Sequence, residues 1–302
     1  MTINGIPDLV ELIGLRGTAR TLTLHTRRPA LAQLHGEHRS SLRGRGLEFE
    51  EVRLYAPGDD ARNIDWRVTA RRGKMHTKLF REERERPVWL VIDLHAGLFF
   101  GSRLQLKSTL LLRAAAVLAW IAAQEGDRIG AIISDGTKVR ILQPRSREAG
   151  VLPLLEALVE SQPAAPGVPN TGGLYNAVAT LRPLLHPGSL VFLLSDFSGL
   201  DETVEELLAN TASRSECRLL WIVDALEATG LPNGVHCLGV PGHLRQLDGA
   251  QSRAAWLRAW NKREQQLNSL ADKHRFPLCR LDTSAPVGDS LTTFLRTPKW
   301  AV

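Results

Sequence analysis

The sequence is poor in cysteine, with three in 302 residues, and these three are widely spaced. Cys217, Cys237 and Cys279 include no Cys-x-x-Cys pair, which argues against a zinc ribbon, a thioredoxin-like motif and a disulfide framework. Each cysteine lies in or beside an apolar run. The pattern therefore predicts three buried free thiols in a reducing compartment.

Long apolar runs are also missing. No stretch reaches the roughly 18 to 20 residues that a membrane-spanning helix needs. The most apolar stretch, Leu104–Ala123, is interrupted by Lys107, Ser108 and Arg113, and it is predicted to be a buried helix. The first residues contain no basic start followed by an apolar core, so no export signal is expected and the protein is predicted to be cytoplasmic.

Signatures of several common enzyme classes are absent. There is no Gly-x-x-x-x-Gly-Lys-Ser/Thr loop for nucleotide phosphates and no Gly-x-Ser-x-Gly elbow for a nucleophilic serine. The nine histidines include no pair that is predicted to share a metal-binding helix face. Gly44 and Gly46 lack the third glycine and the preceding strand of a dinucleotide-binding loop. These absences favour a protein that is not an enzyme.

The net charge of +6 is concentrated in residues 1–87, which hold 17 Lys and Arg against 12 Asp and Glu. Such a basic segment raises the alternative of nucleic-acid binding. However, the charges alternate in sign along Arg81–Arg86, which is typical of a salt-bridged surface. The aromatic residues available for base stacking are Phe49, Tyr55, Trp66 and Phe80. No nucleic acid is therefore expected as a partner.

Buried-strand patterns alternate with helical patterns from residue 87 onward. Three apolar runs, Val88–Asp93, Ser189–Asp196 and Cys217–Asp224, end in an acid and are typical of strands covered on both faces. Helices are predicted over 104–124, 147–160, 174–185, 202–211 and 252–273. This alternation predicts an α/β fold, with a doubly wound, mostly parallel sheet and helices on both of its faces.

The remaining strands are less regular. An Asp-Gly pair separates two strand-like runs, 128–135 and 137–144, and predicts a hairpin. Further strands are predicted at 235–240 and 277–282, and short ones at Thr21–Thr26 and Val52–Leu54. We therefore expect two domains: a smaller N-terminal appendage over residues 1–86, which contains short strands, and the α/β domain over residues 87–302.

Two of the acids that end buried strands, Asp93 and Asp196, stand out. The carboxyl ends of parallel strands meet at one edge of a sheet, and ligands bind there beside a switch in strand order. We therefore expect both carboxylates at that edge.

The most distinctive part of the chain runs from Gly44 to Arg72. It places particular residue types at Gly44, Gly46, Glu48, Phe49, Arg53, Tyr55, Pro57, Gly58, Asp59, Asp60, Arg62, Ile64, Asp65, Trp66, Ala70 and Arg71. This pattern resembles the bacterial family known as domain of unknown function 58, with one departure: Leu54 stands where Glu is common. The resemblance extends to about residue 240. It implies a von Willebrand factor A-like domain and an association with AAA+ ATPases of the MoxR type.

This segment has two interpretations on physical grounds. In the first it is structural: a turn and a Trp seal the appendage onto the sheet. In the second it binds a partner, because Arg and Trp are favoured anchors of interfaces. The residues assigned to partner binding are Asp59, Arg62, Asp65, Trp66 and Arg71, together with His95 from the loop after the first buried strand.

The resemblance also implies a metal site, because von Willebrand A domains often hold a metal through an Asp-x-Ser-x-Ser loop, a Thr and a second Asp. Here Asp93 retains the first acid, but His95 and Gly97 occupy the serine positions. Asp196 matches the second acid and Thr171 the threonine. Mg²⁺ prefers oxygen ligands, so we expect a degenerate site at Asp93, Thr171 and Asp196 with no bound cofactor. Bound Mg²⁺, or a softer ion held with the help of His95, is the alternative.

Two functional hypotheses follow. The leading one is a non-catalytic protein-binding adaptor, the partner of a MoxR-type AAA+ ATPase in chaperone-like assembly or activation of client proteins. The alternative is a metal-dependent hydrolase that acts through Asp93, His95 and Asp196.

Overall fold

The computed structural model describes residues 5–24, 47–56, 59, 61–82, 86–240 and 242–296, with the backbone alone for residues 47–51 and 78–82. The chain divides into two compact units, one formed by residues 1–32 and 86–302 and the other by residues 33–85. The sequence-based boundary assigns all of residues 1–86 to one appendage. The structure instead places residues 5–24 with the larger unit.

The N-terminal segment of the larger unit is helical. It forms α1 (Leu9–Gly14) and α2 (Arg16–Ala19). Leu12 is fully buried, and its carbonyl accepts a hydrogen bond from the Trp120 indole at 3.2 Å. Residues 21–24 are irregular rather than extended in a sheet, so the strand predicted at Thr21–Thr26 is wrong over these residues, and residues 25–26 lie outside the described ranges.

The described part of the smaller unit consists of an antiparallel strand pair, one 3-10 turn (Ala61–Asn63) and one short α-helix. It contains β1 (Leu47–Leu54), α3 (Trp66–Arg72) and β2 (His76–Glu82), and β1 pairs with β2. The strand predicted at residues 52–54 is part of β1. Five residues of the family pattern lie outside the described ranges: Gly44, Gly46, Pro57, Gly58 and Asp60.

The larger unit is built on a six-stranded sheet. The strands of this unit are β3 (Pro87–Asp93), β4 (Arg128–Ser134), β5 (Val139–Ser146), β6 (Leu190–Ser195), β7 (Glu216–Val223), β8 (Val235–Val240), β9 (His243–Asp248) and β10 (Leu278–Asp282). The sheet order is β10-β7-β6-β3-β4-β5, and only β5 runs antiparallel to its neighbour. β8 and β9 form a separate antiparallel pair.

Helices cover both faces of this sheet. They are α4 (Lys107–Gln124), α5 (Glu148–Ser161), α6 (Gly172–Leu181), α7 (Glu202–Ala212), α8 (Ala225–Thr229), α9 (Gly249–His274) and α10 (Val287–Arg296). Buried side chains of α1, α4, α5 and α10 belong to one core, and those of α6, α7 and α9 belong to a second.

The side chains of β3 show why the sheet is covered on both faces. Val88, Leu90 and Ile92 belong to the first core, whereas Trp89 and Val91 belong to the second. Successive side chains of a strand point to opposite faces, so a continuously apolar strand needs an apolar layer on each side. The predicted α/β fold, with a mostly parallel sheet between helices, is confirmed.

Two of the three cysteines are buried as predicted, and the third is not. Burial raises the pKa of the Cys217 and Cys279 thiols to about 12. Cys237 lies on β8 and is exposed, so the prediction of three buried thiols is wrong there.

No helix in the described ranges combines the length and apolar composition that crossing a membrane requires.

Candidate functional site at the carboxyl edge of the sheet

β3 lies where the strand order changes direction, with β4 on one side and β6 on the other. Asp93 ends β3, and Asp196 directly follows β6, which runs parallel to β3. The Ser195 hydroxyl donates to Oδ2 of Asp93 at 2.7 Å. The structure thus brings the two carboxylates to one edge, and ligand atoms of Asp93, His95 and Asp196 all lie within 4.8 Å of one another.

A lysine from the start of α4 reaches this edge of the sheet. In the sequence it stands out only as an interruption of the apolar stretch Leu104–Ala123. Lys107 is the first residue of α4 and is 2% exposed. Its Nζ donates to Oδ2 of Asp196 at 2.8 Å and to Oε1 of Glu227, on α8, at 3.0 Å. Burial opposes the charged form, but the charges of the two carboxylates outweigh it and raise the pKa of Lys107.

Arg263, on α9, adds a second cation to the same group. Its guanidinium donates to the backbone carbonyl of Asp196, and Nη2 lies 3.6 Å from Oδ1 of that residue. Its Nη1 lies 3.9 Å from Oε1 of Glu227. Burial alone would raise the pKa of Asp196, yet Lys107, His95 and Arg263 together hold it well below its usual range. Asp196 is therefore ionised and paired within the chain.

His95 is fully buried within the site. Its Nδ1 accepts a hydrogen bond from the Gly97 amide at 3.1 Å, so the proton belongs on Nε2. Nε2 lies 3.3 Å from Oδ1 of Asp196 and 3.4 Å from the Ser198 hydroxyl. Burial lowers the pKa of His95, but the Asp196 hydrogen bond and the nearby carboxylates give a net increase. A residue so buried has no exposed surface for a partner, contrary to its assignment to partner binding.

Asp93 is the least satisfied member of the group. Its Oδ1 is buried and accepts no hydrogen bond from the residues that the structure describes. The Gly173 backbone approaches this oxygen so closely that a Cβ at 173 would lie 2.5 Å from it. Burial raises the pKa of Asp93 to about 6, although His95 and the Ser195 hydrogen bond act in the opposite direction.

A proline-rich loop over residues 162–171, named here the covering loop, packs on the loop after β3. The Gly167 amide donates to the Ala96 carbonyl at 3.3 Å. A Cβ at Gly97 would lie 2.7 Å from Cγ of Pro169 and 2.9 Å from Nδ1 of His95. Glycine is therefore required at position 97 by close packing, and a serine there would have to displace its neighbours.

Thr171, the third predicted metal ligand, is placed differently from the two acids. It is exposed at the N-cap of α6, and its side chain makes no capping hydrogen bond. Asp93 and Asp196 are 1% and 4% exposed, respectively. The threonine hydroxyl thus takes no part in the buried hydrogen-bond network.

The donor set fits a divalent cation poorly. Asp196 accepts hydrogen bonds on both oxygens: Oδ1 from the Ser198 amide and His95, and Oδ2 from Lys107. His95 carries a proton on the nitrogen that faces the acids. Among the residues that the structure describes, none donates to Oδ1 of Asp93, the one oxygen of these two carboxylates left without a partner there. A single such oxygen does not supply the near-octahedral oxygen coordination that Mg²⁺ requires.

In the smaller unit, two acids of the distinctive segment organise its backbone. Asp59 accepts from the Ala56 amide at 2.9 Å and from the Arg53 guanidinium at 2.8 Å, and these contacts lower its pKa. Asp65 caps α3 by accepting from the amides of residues 67 and 68, each at 3.0 Å. Both assigned partner-binding acids therefore have local structural roles.

Trp66 differs from these acids because it is 67% exposed at the start of α3. The basic residues of the same stretch are exposed too: Arg62, Arg67, Arg71, Arg72 and Lys74. Leu54 and Met75, elsewhere in this unit, are 54% and 50% exposed. The unit thus combines exposed apolar side chains with a basic helix.

Comparisons with known proteins identify relatives of unknown activity. A family model described as "Protein of unknown function DUF58" matches residues 51–242. Uncharacterized proteins from Mycobacterium bovis and Mycobacterium tuberculosis are 33% identical over 210 residues, which is 70% of this chain. The match spans 65% of the length of these relatives, just under two thirds.

Matches among solved structures are more distant in sequence. An aerotolerance-related membrane protein from Bacteroides fragilis has 13% identity and a TM-score of 0.43, over 70% of this chain and 98% of that one. The conserved hypothetical protein BatB from Bacteroides thetaiotaomicron has 11% identity and a TM-score of 0.40, over 70% and 100%. An uncharacterized membrane spanning protein from Vibrio fischeri has 15% identity and a TM-score of 0.22, over 70% and 95%. Two of these three structures are described as membrane proteins. The prediction of a cytoplasmic location is corrected and is not retained.

Proposed function

The chain belongs to the DUF58 family, and from that premise we propose that it is a non-catalytic protein-binding adaptor. Its proposed partner is an AAA+ ATPase of the MoxR type, and its proposed role is chaperone-like assembly or activation of client proteins. The observation that carries the proposal is the exposure of Trp66 within the segment most distinctive of the family. The α/β unit is interpreted as a von Willebrand A-like domain with a degenerate metal site.

An exposed tryptophan at the start of a capped helix is typical of a binding anchor. Trp is enriched among the residues that contribute most to interface affinity, because it buries a large apolar area and keeps one hydrogen-bond donor. Its neighbours on α3 do not cover it, since 67% of the residue remains accessible. A partner that supplies an apolar recess would remove that surface from water.

Hydrogen bonds among the described residues that precede α3 form in the chain without a partner. Asp59 bonds to Arg53 and to the Ala56 amide, and the Tyr55 hydroxyl donates to the Asp59 carbonyl at 3.1 Å. Asp65 fixes the first turn of α3. Preorganisation of this kind reduces the entropy lost on binding. In this proposal the acids organise the surface and Trp66 makes the contact, so the interpretation in which the Trp seals the appendage onto the sheet is not adopted.

The charge around Trp66 indicates what the partner surface contains. Arg67, Arg71 and Arg72 are all exposed on α3. Complementary acidic groups on a partner would steer association and define its orientation. We therefore expect an ATPase surface with an apolar recess bordered by Asp or Glu.

The hydrolase alternative is less well supported by the geometry. Its three residues, Asp93, His95 and Asp196, do come together, but none is more than 4% exposed. A general acid or base has to lie within hydrogen-bond reach of the substrate. Here Asp196 bonds to His95 and Lys107, and Asp93 accepts from the Ser195 hydroxyl.

The proposal is tested by capture of a purified MoxR-type ATPase on the immobilised full chain. Trp66→Ala should weaken binding by about 2 kcal/mol, or roughly 30-fold. Val235→Ala is the matched control, because Val235 is an apolar residue with 69% exposure on β8. Equal capture by the wild type and by Trp66→Ala, or no capture by either, would contradict the proposal.

A further inference from the structure

The ammonium group of Lys107 pairs with one of the two acids that the family resemblance assigns to a metal site. It approaches the carboxylate of Asp196 at the carboxyl edge of the sheet, and it is held on its other side by Glu227. We propose that Lys107 is the permanent cation of this site and acts in place of a divalent metal. This inference is independent of the adaptor proposal, since it concerns what holds the acids together and not what the protein binds.

The charges of the buried group support this assignment. The carboxylates of Asp196 and Glu227 each pair with the same two cations, Lys107 and Arg263, so these four charges balance. A metal site needs an excess of negative ligands, because buried charge is tolerated only where it is compensated. A divalent ion added here would meet two cations that already neutralise the carboxylate of Asp196.

The position of Lys107 is fixed by the fold. It begins α4, so its backbone is anchored by the helix, and its amide donates to the Phe100 carbonyl at 2.7 Å. The side chain is buried along its length, and Nζ bridges the loop after β6 to α8. Without the ammonium, the carboxylates of Asp196 and Glu227 would face each other with no lysine bridging them.

The loop after β3 also fits a site that holds an ammonium group instead of a metal ion. Gly97 leaves room for Pro169 and for the His95 ring, and a serine Cβ at that position would collide with both. His95 donates to Asp196 through the nitrogen that a metal would need. The ammonium, the imidazole and the glycine therefore belong to one arrangement that has no need of a metal.

If Lys107 is the cation of this site, a variant without its ammonium group should be able to bind a metal ion there. In Lys107→Ala, the freed oxygens of Asp196 and Glu227, with one uncompensated negative charge, become a pair of hard ligands for a cation. The full-length variant should unfold at a lower temperature than the wild type in chelator. Saturating Mn²⁺ should then raise its Tm by several degrees, because ligand binding to the native state is stabilising.

The matched control is Lys273→Ala, since Lys273 also donates to a glutamate, Glu205, at 2.7 Å but is 67% exposed. Mn²⁺ binding at Asp196 should not change the Tm of this control or of the wild type. A Tm increase with Mn²⁺ in the wild type that disappears in Asp196→Asn would overturn the proposal. A Lys107→Ala variant that is as stable as the wild type would overturn it as well.

If Lys107→Ala does not fold, a measurement on the wild-type protein tests the proposal. Brief amine acetylation followed by mass spectrometry reports which lysines are paired and buried. Lys107 should be modified at least tenfold more slowly than Lys273. Equal modification of the two lysines would show that the ammonium does not occupy the site.

Discussion

The Nζ atom of Lys107 lies 2.8 Å from Oδ2 of Asp196, and the two side chains are only 2% and 6% exposed. The pair joins the start of α4 to the loop after β6. Removing one partner of a buried pair leaves the other charge uncompensated, whereas the pair itself adds little net stability over apolar residues. A change of either residue alone should therefore destabilise the fold more than replacement of both by apolar residues.

Asp196→Asn is expected to lower the free energy of unfolding by about 3–5 kcal/mol, because Lys107 would keep a buried charge without its closest anion. Urea denaturation of the two proteins at neutral pH measures the difference. Lys273→Met removes an exposed ion pair with Glu205 and should cost at most about 1 kcal/mol. Similar losses of unfolding free energy in Asp196→Asn and Lys273→Met would mean that Asp196 is not buried against a cation.

The raised pKa of Asp93 predicts a specific dependence of stability on pH. In the folded protein this pKa is about 6, against an ordinary value of 3.8, so the native state retains a proton that the unfolded chain releases. Its stabilising contribution is complete below about pH 4 and is lost as the pH rises through about 6. Over that range the wild type should lose up to about 3 kcal/mol relative to Asp93→Asn.

Urea denaturation of both proteins between about pH 4 and pH 8 tests this expectation. Because His95 lies close to Asp93, the observed transition belongs to the coupled pair and not to one residue. The difference in unfolding free energy between wild type and variant is the informative quantity. A difference that stays constant with pH would contradict a buried, partly protonated Asp93.

Restoring a serine of the metal-binding pattern should be harmful and should not create a metal site. Gly97→Ser places a Cβ within 3 Å of Pro169 and His95, and overpacking of this kind costs about 1–3 kcal/mol. Gly14→Ser is the matched control, because nothing lies within 4 Å of a Cβ at that position. The measurement is thermal unfolding with and without Mn²⁺. A variant as stable as the wild type would mean that the covering loop does not pack as the structure shows.

The two roles proposed for the distinctive segment can be separated at adjacent residues. Asp65→Ala removes the cap of α3 and should cost about 1 kcal/mol, with faster hydrogen exchange at Arg67 and Val68. Trp66→Ala removes an exposed side chain and should leave those exchange rates unchanged while it weakens partner capture. Faster exchange in Trp66→Ala would indicate that the tryptophan stabilises the helix instead of serving a partner.

Much of the α/β unit was predictable, because a strand buried on both faces has to be continuously apolar. Val88–Asp93 and Ser189–Asp196 carry that signature, and their terminal acids predict the edge where they meet. The helix α10 was missed, although Val287, Leu291 and Leu295 recur every four residues and are buried. The order of strands in the sheet and the separate pairing of β8 with β9 depend on contacts that no local pattern encodes.

The site was only partly predictable for a related reason. Asp93, His95 and Asp196 follow strands, so their meeting is implied by the parallel sheet. Lys107 and Arg263 begin or lie within helices, where a charged residue ordinarily faces water. Their approach to Asp196 results from how α4 and α9 pack on opposite faces of the sheet. The available signal was a lysine at the start of an otherwise apolar helix.

The most direct test of the central claim is an anomalous difference map from crystals of the full chain grown with Mn²⁺. We predict no Mn²⁺ peak between Asp93 and Asp196, with the Lys107 ammonium bonded to Asp196 and Glu227 in the same map. A strong peak at that position, with Lys107 turned away from the carboxylates, would contradict the claim.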